Sequence, residues 1–225
     1  MVNRQHRPPA AGRPAALPSL ADRAYDAIRD QLVRLEIRPG VPISEEDLCA
    51  RLGLSRTPVR EALKRLEHER LVVSYPRRGT FATEINVTDL THISEVRELI
   101  EPAAAASAAR HATPADRESF RVLLGELAAA GAAVPAAELM NLDTRVHRAV
   151  YAATRNPYLE DTLIRYNNLA TRIWCLFLDR LAGMAGHVAE HRLLLEALLA
   201  GDDRAAAAIA RRHVTGFDQA IRAVI

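Results

Sequence analysis

Aromatic residues are scarce in this chain, at 4% of its 225 residues. A core built without them must come from Leu, Ile, Val and Ala, a composition that favours helix. Cysteine is nearly missing, with Cys49 and Cys175 the whole complement. Their separation matches neither paired zinc-ligand spacing nor a disulfide framework, and a reducing, cytoplasmic setting is expected. No apolar run approaches the roughly 18 residues of a membrane span, so no membrane partner is expected. The amino-terminal stretch lacks the apolar centre of a signal peptide. A large charge excess is lacking too, with 30 Lys and Arg against 28 Asp and Glu. The imbalance is regional: residues 1–85 carry 15 basic and 11 acidic side chains, and residues 86–225 carry 15 and 17. A basic front module suits a polyanionic partner.

What is present is helical pattern. Hydrophobic residues make up 49% of the chain, enough to bury a sizeable core. Residues 1–18, rich in Pro, Ala and Arg, read as a disordered tail. Ser19 can cap a helix reaching about Glu36, stopped by Pro39-Gly40. Ser44 starts a second helix, with Asp47 at capping-box spacing and Gly53 as its stop. After a short turn, Thr57 can cap a third helix, with Pro58 at its first position and an end near Arg70. Strands at 71–75 and 80–83 around Pro76-Arg77-Arg78-Gly79 read as a hairpin. From Thr88 onward the patterns predict helices at about 88–111, 114–132, 135–154, 157–182, 186–200 and 202–224, the first kinked at Pro102. The expected fold is mainly α, with a three-helix, hairpin-winged helix-turn-helix over 19–85 and an all-α bundle over 86–225.

Two short helices joined by a tight Gly-containing turn are the helix-turn-helix signature. In the third helix, Val59, Ala62, Leu63 and Leu66 form a stripe to be buried. Arg56, Arg60 and Lys64, at i, i+4 and i+8, form a basic stripe pointing elsewhere. Such a helix can place its first residues against base edges in a major groove. Its free N–H groups, with Thr57, can hold a phosphate. Arg77, Arg78 and Gly79 at the hairpin tip supply a basic wing. Double-stranded DNA is the expected partner.

A second constellation lies downstream. Asp143 and His147 are four apart and share a helix face. His191 and His213 each lie eleven residues from Asp202, the centre of the connection between the last two helices. In an antiparallel pair both stand about 16 Å from that turn and can face each other. Three imidazoles and a carboxylate suit a divalent transition metal, zinc first, nickel or another first-row ion otherwise. Taken singly, each has a plainer reading, as a helix-surface pair or a hydrogen-bonded core histidine. The other histidines, His6, His68, His92, His111 and His187, read as ordinary.

The segment Leu48-Cys49-Ala50-Arg51-Leu52-Gly53-Leu54-Ser55-Arg56-Thr57-Pro58-Val59-Arg60-Glu61-Ala62-Leu63-Lys64-Arg65-Leu66-Glu67 resembles the helix-turn-helix of GntR-type bacterial regulators. The Arg-Arg-Gly-Thr wing is similar as well. The chain departs from that pattern at Arg70, where the family has Gly. The resemblance implies a homodimer on a palindromic operator, with Arg56, Arg60 and Gly79 near DNA. The Asp143–His147 segment, Arg155-Asn156-Pro157-Tyr158-Leu159, Glu190-His191-Arg192 and Arg211-Arg212-His213 resemble the FadR-like carboxyl-terminal domain called FCD. That second resemblance implies a metal held by Asp143, His147, His191 and His213, with a small organic acid beside it. Arg97 and Glu101 match the group's Arg-x-x-x-Glu pattern.

The expectation is therefore a DNA-binding repressor controlled by a small carboxylate beside a divalent metal. Arg97 and Arg172 are the candidates to hold that effector. Arg172 falls among Leu169, Ile173 and Leu176, where a charge is costly unless paired. Two alternatives stay open. A metal-dependent hydrolase fused to a DNA-binding module needs a placed general base, and only Glu190 and Glu101 are available, so an enzyme is not expected. A purely structural metal needs no effector at all.

Overall fold

The fold is that of a computed structural model and is described for residues 18–130, 134–178, 180 and 184–225. Residues 1–17 of the expected tail lie outside that range, as do the expected helix ends at 131–132 and 181–182. Ser19 caps α1 (Leu20–Val33) through a full capping box with Asp22. The helix stops three residues earlier than its pattern suggests, and Leu35 takes a left-handed φ of 61°. Ser44 caps α2 (Glu45–Leu52) by accepting from the Asp47 N–H, and Gly53 closes it at φ 63°. A positive φ there costs glycine nothing sterically. The next helix, α3 (Arg56–His68), starts earlier than expected: its cap is Ser55, not Thr57, so Thr57 and Pro58 lie within the first turn. Proline is tolerated there because first-turn N–H groups have no intrahelical acceptor.

Arg70, the departure from the family pattern, adopts the left-handed φ of 63° that Gly normally supplies. Leu71 N–H then bonds Leu66 carbonyl at 3.0 Å, finishing the helix with an arginine in the glycine's role. The hairpin forms from β2 (Val72–Tyr75) and β3 (Gly79–Ala82). A third strand, β1 (Pro42–Ile43), pairs antiparallel with β3, Pro42 opposite Phe81, giving the order β1-β3-β2. Two residues are too short for a strand pattern to show in the sequence.

The remaining helices among the described residues are α4 (Asp89–His111), α5 (Pro114–Ala129), α6 (Ala136–Ala153), α7 (Pro157–Leu176), α8 (Met184–Ala200) and α9 (Asp203–Arg222). Thr113 caps α5 with a box to Asp116, and Asn156 caps α7 just before Pro157. Helix α4 runs unbroken through Pro102. It lies along α9, and its alanines at 104, 105, 108 and 109 pack in one core with Ala206 and Ala210. Small side chains on both helices permit close axes.

Two hydrophobic clusters result. One gathers α1, α2, α3 and the sheet around Ile28, Leu32, Leu48 and Leu66, and the other fills the bundle from Leu90 to Ile221. Leu169 of α7 packs against both.

Candidate DNA interface and metal centre

The third helix buries Val59, Ala62, Leu63 and Leu66 and exposes Arg56, Thr57, Arg60 and Lys64. The basic stripe therefore faces solvent as a continuous edge. Arg60 is held in place by Glu45 of α2, with Nε 2.7 Å from Oε2. The Ser55 side chain makes no capping bond, which leaves first-turn N–H groups of α3 open to an anion. At the wing tip, Arg77 and Gly79 have φ of 61° and 93°. Arg78 N–H closes the turn on the Tyr75 carbonyl at 3.1 Å, and its guanidinium lies 5.7 Å from the Tyr75 ring centroid. Arg77, Arg78 and Gly79 are all exposed. Among the described residues, Arg56, Lys64, Arg77 and Arg78 form no ion pair.

The second constellation assembles inside the bundle. Helix α6 supplies Asp143 and His147, α8 supplies His191 and α9 supplies His213, all four buried. One ligand atom from each lies within 4.8 Å of the others. His191 Nε2 stands 3.4 Å from His147 Nε2 and 3.7 Å from Asp143 Oδ1. His147 Nε2 is 3.9 Å from the same oxygen. Four ligands tetrahedral at about 2.1 Å from one ion are about 3.4 Å apart, so these separations are near those of a shared ion.

The electrostatics point the same way. Asp143 Oδ1 is buried without a hydrogen-bond partner, although such atoms are nearly always paired. Burial pushes its carboxyl up to about 7, against the pull of Arg97. Burial also holds His147 and His213 well below the usual imidazole value and His191 down to about 4. Neutral rings are the ligand form. His147 Nδ1 lies 3.0 Å from the Tyr151 hydroxyl and 3.6 Å from Glu101, and His213 Nδ1 lies 3.2 Å from Glu190. Such contacts on the far ring nitrogen fix which nitrogen turns inward. The donors present thus fit one divalent transition ion.

Arg97 and Arg172, paired in the sequence reading as effector contacts, part company here. Arg97 is buried beside the cluster, its Nε 2.6 Å from Glu101 Oε1 and its guanidinium 5.3 Å from the Phe217 ring centroid. Arg172 instead bonds Thr83 at the end of the sheet, Nη1 to Oγ1 at 2.7 Å and Nη2 to the carbonyl at 3.0 Å. The structure does not bring it together with Arg97: α7 aims it at the junction with the winged region. A partner 89 positions away cannot be read from local pattern.

His187, expected to be an ordinary histidine, lies within the cluster. Its Nε2 is 3.9 Å from Asp143 Oδ1, and its ring stacks on His213 with centroids 4.0 Å apart. With Glu190 and His213 it forms a second, less buried group of possible ligands. The signal was available: His187 precedes His191 by four residues, the same spacing as Asp143 and His147. The fully buried set remains the better one, because it alone contains the orphaned Asp143 oxygen.

Comparison with known proteins places this geometry. The profile described as "Bacterial regulatory proteins, gntR family" matches residues 20–82, and that of the FCD domain matches residues 92–216. The chain is 30% identical to the Nta operon transcriptional regulator of Aminobacter aminovorans, over 85% of this chain and 90% of that one. It is 29% identical to the galactonate operon transcriptional repressor of Escherichia coli, over 82% and 89% of the two. The solved structure of E. coli McbR/YncC is alike in fold, with TM-score 0.75 at 23% identity over 92% of this chain and 99% of that one. These relatives are named as transcriptional regulators, and the chain belongs to the GntR family of bacterial regulatory proteins, with an FCD carboxyl-terminal domain.

Proposed function

We propose that this regulator is a cytoplasmic homodimeric repressor whose grip on a palindromic operator is controlled by a small carboxylate bound beside a divalent metal. Residues 19–85 form the DNA-reading domain and 86–225 the sensing and dimerising domain. Arg56, Thr57, Arg60 and Lys64 meet the major groove, and Arg77, Arg78 and Gly79 of the wing meet the neighbouring backbone. Asp143, His147, His191 and His213 hold the metal, zinc in the first instance, which when bound supplies a Lewis-acid anchor for a carboxylate oxygen. Arg97 orients Glu101 behind His147 and adds positive field for an anion.

The observation that carries the sensing part is the buried Asp143 Oδ1, without a hydrogen-bond partner and within 4 Å of the His147 and His191 nitrogens. For the DNA part, it is the exposed, largely unpaired basic edge of α3. A ligand changes DNA affinity only if it binds two arrangements of the protein unequally. The test is operator selection from random DNA, repeated with a panel of carboxylic acids on metal-loaded protein. The expected result is a palindromic site whose affinity shifts with one acid class. Selection without any enriched site contradicts the DNA part. A site indifferent to every acid and to chelation contradicts the sensing part.

A further inference from the structure

A cavity of about 410 Å³ opens where the segment after β3 meets α4 and α7. It lies apart from the metal cluster and does not depend on a metal being bound. Ile93, Val96, Leu169 and Ile173 give it an apolar wall. Arg172 lines it too, 2% exposed. Both terminal nitrogens of Arg172 are taken by Thr83, but its buried Nε finds no acceptor. Arg165, on the same helix and the same wall, also buries its Nε without an acceptor. Neither guanidinium forms an ion pair among the described residues. Burial lowers Arg172 to about 10 even with Glu84 near, the direction taken by a cation short of counter-charge. Glu84 and Asp89 line the cavity as exposed carboxylates, against three guanidinium groups once Arg70 is included. The cavity thus sets one apolar wall against a polar lining that is basic in balance, with donors left over where it is most buried. A few hundred Å³ is the usual size of a small-molecule site.

We propose that this junction cavity binds a second small organic anion, a carboxylate on a compact apolar body, seated on Arg172 and Arg165. The apolar body lies against Val96 and Ile173. The site bridges both regions of the molecule. Arg172 sits on α7 of the bundle, and its partner Thr83 also donates to the carbonyls of Arg70 and Leu71, at 2.8 and 3.1 Å. Those carbonyls join the recognition helix to the wing. An anion on Arg172 therefore acts where the bundle holds the DNA-reading region, and its occupancy favours one arrangement of the two.

The test is calorimetric titration of the full chain with 2-naphthoate and cyclohexanecarboxylate, each beside its neutral carboxamide. One carboxylate site per chain is expected, with the carboxamides at least about ten-fold weaker, as loss of a charge-assisted bond implies. Arg172→Gln is expected to weaken the carboxylate by a similar factor. Val96→Phe, which fills the cavity and leaves the guanidinium groups alone, is expected to abolish binding. If Arg172→Gln fails to fold, Val96→Phe decides. In cobalt-loaded protein the visible spectrum stays unchanged on titration, since the anion does not reach the metal. Absence of binding at millimolar probe overturns the proposal. So does equal binding of the carboxamides, or binding that survives Val96→Phe.

Discussion

The two ends of this molecule hold their functional side chains in opposite ways. On the DNA-reading side, the charges of Arg56, Lys64, Arg77 and Arg78 stand in water without ion-pair partners among the described residues. In the bundle, Asp143, His147, His191 and His213 are buried, and the Arg97–Glu101 ion pair beside them is buried too. Exposed charge costs little to keep, and removing it costs the fold little. Buried polar groups tie stability to their partners, and removing one strands the others. The fold can therefore lose an exposed arginine and stay folded, but it cannot lose a buried histidine of the cluster so cheaply.

The largest expected effect tests the buried side. Chelation of metal-loaded protein should lower its melting temperature, because an ion present at a hundred times its dissociation constant adds about 3 kcal/mol to stability. The DNA-facing variants should show the same drop on chelation as the parent chain. Differential scanning calorimetry measures both, and an unchanged melting temperature after complete metal removal would break the contrast.

Next comes the exposed side. Arg60→Ala should weaken the selected operator by about 1–3 kcal/mol and relax one position in each half-site. Its pairing with Glu45 is exposed, so thermal stability should move by about 1 kcal/mol at most. Binding titrations on single-base operator variants check this, and a uniform loss across all of them would reassign Arg60 to the phosphates. Arg78→Ala should be milder, weakening all sequences alike and reducing the slope of log affinity against log salt by about 1.

The smallest expected effect sharpens the boundary of the cluster. His187→Ala should keep its metal, because the fully buried set is complete without it. Elemental analysis reads this directly. Metal loss there would move the ion toward the less buried group of His187, Glu190 and His213.

Most of what was legible in the sequence is local chemistry. Ser19, Ser44, Thr113 and Asn156 announce their helices, because a short polar side chain can satisfy an N–H two or three residues on. The third helix is legible although its cap is Ser55 and not Thr57, since both residue types can cap and they lie two positions apart. The His191–His213 match was legible through a global inference, antiparallel helices measured from one turn, and the two rings lie 4.3 Å apart between centroids. What was not legible depends on partners distant in sequence. The pairing of β1 with β3 spans nearly forty residues. Nor does helical pattern reveal the Arg172–Thr83 bond. His187 sits at ligand spacing but was passed over, because the sequence alone does not say which of two histidines on one face turns inward.

The central claim is that one ion joins α6, α8 and α9 through Asp143, His147, His191 and His213. Native mass spectrometry of the full chain, beside His191→Ala and His213→Ala, tests it most directly. One divalent transition ion per chain is expected in the parent and little or none in either variant, with each chain otherwise intact. A parent chain that takes up no ion, or variants that keep as much as the parent, would contradict it.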